Sequence, residues 1–184
     1  MANYPIPNTP STKTKWKSLP VYRMDCNGFT EPSQILHYFK LHGIKKYVYK
    51  IIGHNIPIKY GESSTDNSKQ YGNRVYSQIG GLESFGINKL NRSNSKMFRE
   101  LAELYQIEYN KVLNHNDVTV EIWSFDNYNF VTTDHKKEMQ QAESELIQTF
   151  RSTYTAMPIG NIDDGSSSFK RPAVIASVFN QCFV

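Results

Sequence analysis

The stretch YVYKIIGHNIPIKYGES, residues 47–63, decides how the rest of the chain is read. Two apolar, β-branched runs flank Gly53-His54-Asn55, a turn composition, so the stretch reads as a β-hairpin. Yet Tyr47, Tyr49 and Lys59 stand where a plain strand carries core or solvent-facing residues. If Gly53-His54-Asn55 forms a three-residue turn with Asn55 left-handed, Tyr49 faces Lys59 directly across the ladder, and Tyr47, Tyr49, Lys59 and Gly61 share one side. A two-residue turn at His54-Asn55 instead sets Tyr49 opposite Tyr60. In the first register a phenol and an ammonium lie together, and a neighbouring cation favours the phenolate, a species able to activate a nucleophile. The same residues also suit a surface hairpin with Lys59 in water and the tyrosines packed.

On the N-terminal side, residues 1 to about 29 are rich in Pro, Ser, Thr and Lys and show neither helical nor strand periodicity, which reads as an arm or wrapping segment. SQILHYFKLH, with Ile35, Leu36 and Phe39 at helical spacing and Gly43 after it, reads as a short helix. On the C-terminal side, residues 61–95 form a long excursion rich in Gly, Ser and Asn, a length more often functional than idle. SKMFRELAELYQIEY spaces Met97, Leu101, Leu104, Tyr105 and Glu108 as an amphipathic helix. VTVEIWSF alternates as a strand, and HKKEMQQAESELIQTFRS carries Met139, Ala142, Leu146, Ile147 and Phe150 as a helical stripe. Glu143 falls inside that stripe, whereas Glu145, turned by roughly 200° of helix, falls on the polar face. The expected fold class is α+β: a small antiparallel sheet containing a β-hairpin, flanked by helices, with an N-terminal arm and a C-terminal tail.

The chain has 184 residues, 39% of them hydrophobic and 13% aromatic, enough for one sizeable core and little room for a second domain. It has no run of 18 apolar residues and its first residues lack a secretory segment, so a soluble cytoplasmic protein with no membrane partner is expected. Cys26 and Cys182 are too few and too distant for a disulfide framework or a zinc site and read as reduced thiols. The net charge of +4 is compatible with an anionic partner without requiring one. A carboxylate on the buried stripe of a helix is costly unless paired, protonated or bound to a metal. Glu143 therefore reads either as a rim glutamate paired with an arginine or as a hard oxygen ligand for Mg²⁺.

Tyr47-Val48-Tyr49, the ten-residue step to Lys59-Tyr60-Gly61, Arg74-Val75, and AESELIQTFRSTYTAMPIGN together resemble the GIY-YIG nuclease family over about residues 45–161. Within it the chain is most similar to small type II restriction endonucleases that carry lysine in place of the first tyrosine of the second half-motif. The resemblance implies that Tyr49 takes the proton of an attacking water with Lys59 beside it, that Arg74 contacts the scissile phosphate, and that Glu143 holds a single Mg²⁺ or Mn²⁺ per site. Tyr47 would support the site and touch the phosphate or position water. Tyr47 stands where the family has its first glycine, and Gly61 to Arg74 is long for the family, an insertion holding Glu62, Ser63, Asp66, Lys69 and Tyr71. Where many members have histidine or tyrosine four residues after the arginine, this chain has Gln78, with Tyr76 two residues earlier. Asn161 matches a late asparagine with either a structural or a catalytic role.

The implied organisation is an N-terminal arm and short helix for DNA recognition or dimer contacts (residues 1–44), a catalytic core (45–165) and a tail (166–184). The implied activity is metal-dependent, site-specific cleavage of double-stranded DNA by a homodimer, with a companion methyltransferase in the host. Lys13, Lys15, Lys17 and Arg23 of the arm, the loop of residues 62–95, and Lys170 and Arg171 of the tail are the expected readers of sequence. Two other readings stand beside this one: another nuclease of the family, for homing, repair or phage competition, and a catalytically silent nucleic-acid-binding module.

Overall fold

A computed structural model describes residues 12–64 and 71–161 of the chain. After a 3₁₀ turn at Thr12–Ser18, the elements are β1 (Val21–Asp25), α1 (Ser33–Leu41), β2 (Tyr47–Gly53), β3 (Ile56–Ser63), α2 (Asn73–Ile79), α3 (Ser93–Tyr109), β4 (Val118–Ser124) and α4 (His135–Tyr154). The four strands form one antiparallel sheet in the order β1-β4-β2-β3. The expected α+β class, an antiparallel sheet flanked by helices, is what the chain adopts.

β2 is central, and every residue of it except Lys50 is buried. Strand alternation sorts its side chains. Tyr47, Tyr49 and Ile51 join Ile35 and Phe39 of α1, Val75 and Ile79 of α2, and Phe98, Leu101 and Tyr105 of α3 in the main core. Val48 points the other way, into a smaller core of Trp16, Trp123, Phe125, Met139 and Ala142, which seats α4 and the N-terminal turn. β2 is thus coated on both faces, which is why its sequence reads as a nearly continuous apolar run. Asp134 caps α4 by accepting the Lys137 N–H at 3.0 Å, and Thr155 ends it in the left-handed conformation (φ 52°).

Several expectations are corrected. The hairpin turn is the two-residue one: His54 and Asn55 both have positive φ (46° and 68°), and Gly53 pairs with Ile56. A bulge at Ile51/Ile52 then shifts the ladder, so Ile51 pairs with Lys59 and Tyr49 with Gly61. Tyr49 therefore faces neither Lys59 nor Tyr60. The bulge restores the parity of the three-residue reading, and Tyr47, Tyr49, Lys59 and Gly61 do share a side. Within the supposed arm, Val21–Asp25 is an edge strand paired with β4. The supposed loop of residues 62–95 holds the end of β3, all of α2, a 3₁₀ segment at Glu83–Asn88 and the start of α3. In α3 the core-facing residues are Ser95, Phe98, Leu101 and Tyr105, while Met97 is exposed. Glu145 is not on a solvated face: its Oε2 accepts the Trp16 indole N–H at 2.8 Å. Cys26 is buried and free, and burial pushes its thiol up to about 12, so it is protonated at neutral pH. Cys182, Lys170, Arg171 and the C-terminal tail lie outside the described residues. Among the described residues, no helix is long and apolar enough to cross a membrane.

Candidate active site

Tyr49 of β2, Lys59 of β3, Arg74 of α2 and Glu143 of α4 line one open cleft of about 290 Å³ beside the edge strand β3, together with Tyr60, Gly61, Glu62, Gln140, Gly160 and Asn161. Each side chain arrives there for a local reason. Tyr49 lies across Gly61, where a Cβ would fall 2.3 Å from the Tyr49 hydroxyl, so only glycine lets the phenol reach the cleft. Arg74 sits in the first turn of α2, which starts after Gly72 in a left-handed conformation (φ 65°), where an added Cβ would run into the Phe39 side chain. Glu143 follows Met139 and Ala142 on the packed side of α4, which runs against β3 and β2. The segment after α4 turns back along β3: the Gly160 N–H donates to the Ile58 carbonyl (2.6 Å), and the Asn161 amide both accepts from the Tyr60 N–H (2.8 Å) and donates to its carbonyl (3.0 Å). Asn161 therefore stands in for a neighbouring strand, a structural role.

The electrostatics assign partners differently from the sequence reading. Burial pushes the Tyr49 phenol up to about 12, against the pull of Arg74 and of a hydrogen bond to Gln78, while Glu143 pushes it further up. The cation acting on Tyr49 is thus Arg74, not Lys59, and the resting species at neutral pH is the phenol. The Tyr49 hydroxyl donates to Gln78 Oε1 at 3.2 Å, at the position whose role the sequence resemblance left open. Tyr76 instead carries the Arg92 guanidinium over its ring, 5.4 Å from the centroid. Burial lowers the Lys59 ammonium from its ordinary range, Glu143 supports its charge, and Nζ donates to the Gly160 carbonyl at 2.7 Å. Burial and the nearby Glu62 carboxylate raise Glu143, offset by Lys59 and Arg74. Lys59 therefore serves the carboxylate of Glu143 in place of the phenol of Tyr49.

Tyr47 does not reach the cleft. It is fully buried beneath Phe39 and Tyr49, with ring centroids 4.7 and 5.9 Å away, and burial holds its phenol well above the usual range. Its hydroxyl is near Ser63 and the backbone of Arg74 and Val75 but forms no hydrogen bond of normal geometry among the described residues. It packs beneath the site and is not part of the cleft lining. Of the expected DNA-contacting cations, Lys15 and Lys17 are exposed, and Arg23 stands 3.6 Å from Glu121 on the neighbouring strand. The sequence reading missed Gln140 in the cleft wall and counted Glu62 with the DNA-reading loop, outside the site. Gln140 lies one turn before Glu143 on the same helix face, the one signal that marked it.

Compared with family models, curated proteins and solved structures, the chain gives no significant match. Among the described residues there is also no group of three or more His, Cys, Asp or Glu side chains placed to hold a metal. The cleft offers hard carboxylate oxygens in an open space, a donor set that suits a cation keeping most of its waters and does not suit zinc.

Proposed function

We propose that the chain is a divalent-metal-dependent phosphodiesterase that cleaves double-stranded DNA at specific sites, a nuclease of the GIY-YIG type. The observation that carries this reading is the convergence of Tyr49, Lys59, Arg74 and Glu143, from four separate elements, on one polar cleft. A hydrolytic site for phosphodiesters needs a proton acceptor for water, a planar cation for the phosphate and an acid able to hold a metal, and these four side chains supply them.

Arg74 positions the phosphate and, as charge builds on the non-bridging oxygens, neutralises it. Tyr49 gives its own proton to solvent through the open cleft, the nearby Arg74 guanidinium lowering the cost of that loss, and then receives the proton of the attacking water. Glu143 would hold the ion, with Lys59 favouring the charged form of its carboxyl against burial and Glu62. A bound Mg²⁺ would supply Lewis-acid stabilisation of the phosphate and leaving oxygen. Two copies of the chain would make the paired cuts of a symmetric site.

The test is incubation of the purified protein with plasmid and Mg²⁺. Discrete fragments are the expected result. A smear indicates a non-specific nuclease, and uncut plasmid that is nonetheless bound indicates a silent binding module. Glu143→Gln and Arg74→Ala should each lower cleavage by on the order of 10² or more while DNA binding stays detectable. Glu145 is a poor control because Trp16 depends on it, so exposed Glu103→Gln is the paired control. Cleavage near the wild-type rate by either cleft variant overturns the assignment.

A further inference from the structure

Glu62 is a charged residue of the cleft that the scheme above does not use. It directly follows Lys59-Tyr60-Gly61 and, by strand alternation, its side chain leaves β3 on the face opposite Lys59, the face on which Val48 and α4 pack. It lines the same cleft as Glu143. Its Oε2 is inaccessible to solvent and has no hydrogen-bond partner among the described residues. Nor does either glutamate form an ion pair within 4 Å there: the Lys59 ammonium donates to the Gly160 carbonyl, and Arg74 lies beside Tyr49.

An orphaned carboxylate oxygen next to a second carboxylate is costly, and three arrangements relieve it: a proton, a basic partner or a metal. Neither of the two basic residues of the cleft forms an ion pair with Glu62: Lys59 bonds the Gly160 carbonyl and lies toward Glu143, and Arg74 lies beside Tyr49. Hard cations such as Mg²⁺ and Mn²⁺ are commonly held by one or two carboxylates, with water and substrate oxygens completing the shell. We infer that Glu62 is the second protein ligand of the divalent cation held by Glu143, so that one acid from β3 and one from α4 grip the ion between strand and helix. This rests on the nuclease reading above. With Glu62, Glu143, Lys59 and Arg74 all ionised the four charges cancel, so the ion supplies the net positive charge that draws a phosphodiester into the cleft.

The test is Mn²⁺ binding to the full chain without DNA, measured by titration calorimetry and by the Mn²⁺-induced rise in Tm, for wild type, Glu62→Gln, Glu143→Gln and the double variant. Glu62→Gln should weaken Mn²⁺ binding by at least about tenfold, since affinity at such sites follows the number of charged ligands. It should also melt without metal at or above the wild-type temperature, because a repulsion has been removed, and lose most of the Mn²⁺-induced shift. Wild-type Mn²⁺ affinity in Glu62→Gln alongside lost affinity in Glu143→Gln overturns the role of Glu62 and leaves the nuclease reading intact. A metal-free Tm clearly below wild type, with Mn²⁺ affinity unchanged, marks Glu62 as structural and overturns it as well. Absence of Mn²⁺ binding by wild type, or unchanged binding in Glu143→Gln, strikes the metal assignment of the reading itself.

Discussion

Tyr49 joins an open cleft to a buried environment. Its side chain is 1% exposed, yet its hydroxyl opens on the cleft beside Arg74. Because the folded-state pKa is raised from 10.0 to about 12, the phenol favours the fold below pH 10, and that contribution is lost as pH climbs toward 12. Tyr49→Phe should therefore be less sensitive to alkaline unfolding than wild type, read by circular dichroism between those two pH values. The same substitution should remove cleavage, by on the order of 10² or more. For wild type the cleavage rate should rise with pH across the range below the Tyr49 pKa, and a flat profile would count against Tyr49 as proton acceptor. At this scale the sequence grouped four side chains that the fold brings to one cleft. It did not show which cation serves which group. That depends on where α2 and α4 cross β3, and on Gly61 leaving space for a ring, neither of which is encoded in local spacing. Glu62 was invisible for the same reason, since alternation alone puts it on the face away from Tyr49, and only the course of α4 brings Glu143 round to it.

Elements with a strong period were readable: α1, α3, α4, the β2–β3 hairpin and β4 fall where apolar spacing put them. The weak signals were lost. β1 buries a single residue, Met24, so Val21–Asp25 carries no alternation to detect. α2 is seven residues long inside a stretch rich in Gly, Ser and Asn, too short for a helical period to emerge. Its start depends on Gly72, which combines a left-handed φ with a close approach to Phe39. Gly72→Ala should lower stability by about 1–3 kcal/mol, through strain and overpacking together, and should misplace Arg74. Urea unfolding gives the first effect and the KM for a DNA substrate the second. A variant that keeps wild-type stability and KM would show that α2 is not set by this turn.

At the scale of the molecule, the cleft belongs to the sheet's edge and to the segment that closes it. Asn161→Ala removes both partners of the Tyr60 backbone and should cost about 1–3 kcal/mol. Faster amide hydrogen exchange at Tyr60 is the local measurement, and unchanged exchange would mean the edge is protected in another way. Under the proposed function, the closure of β3 also limits how two copies would cut both strands of a duplex. Because Asn161 already occupies the outer rim of β3, copies that merge their sheets into one eight-stranded ribbon would have to join through β1. At the usual strand spacing this sets their β3 strands roughly 34 Å apart, about ten base pairs along B-form DNA. Blunt ends or short overhangs would then require the copies to meet through helices or loops, so the length of the overhang on the cut fragments reports which surface holds the pair together.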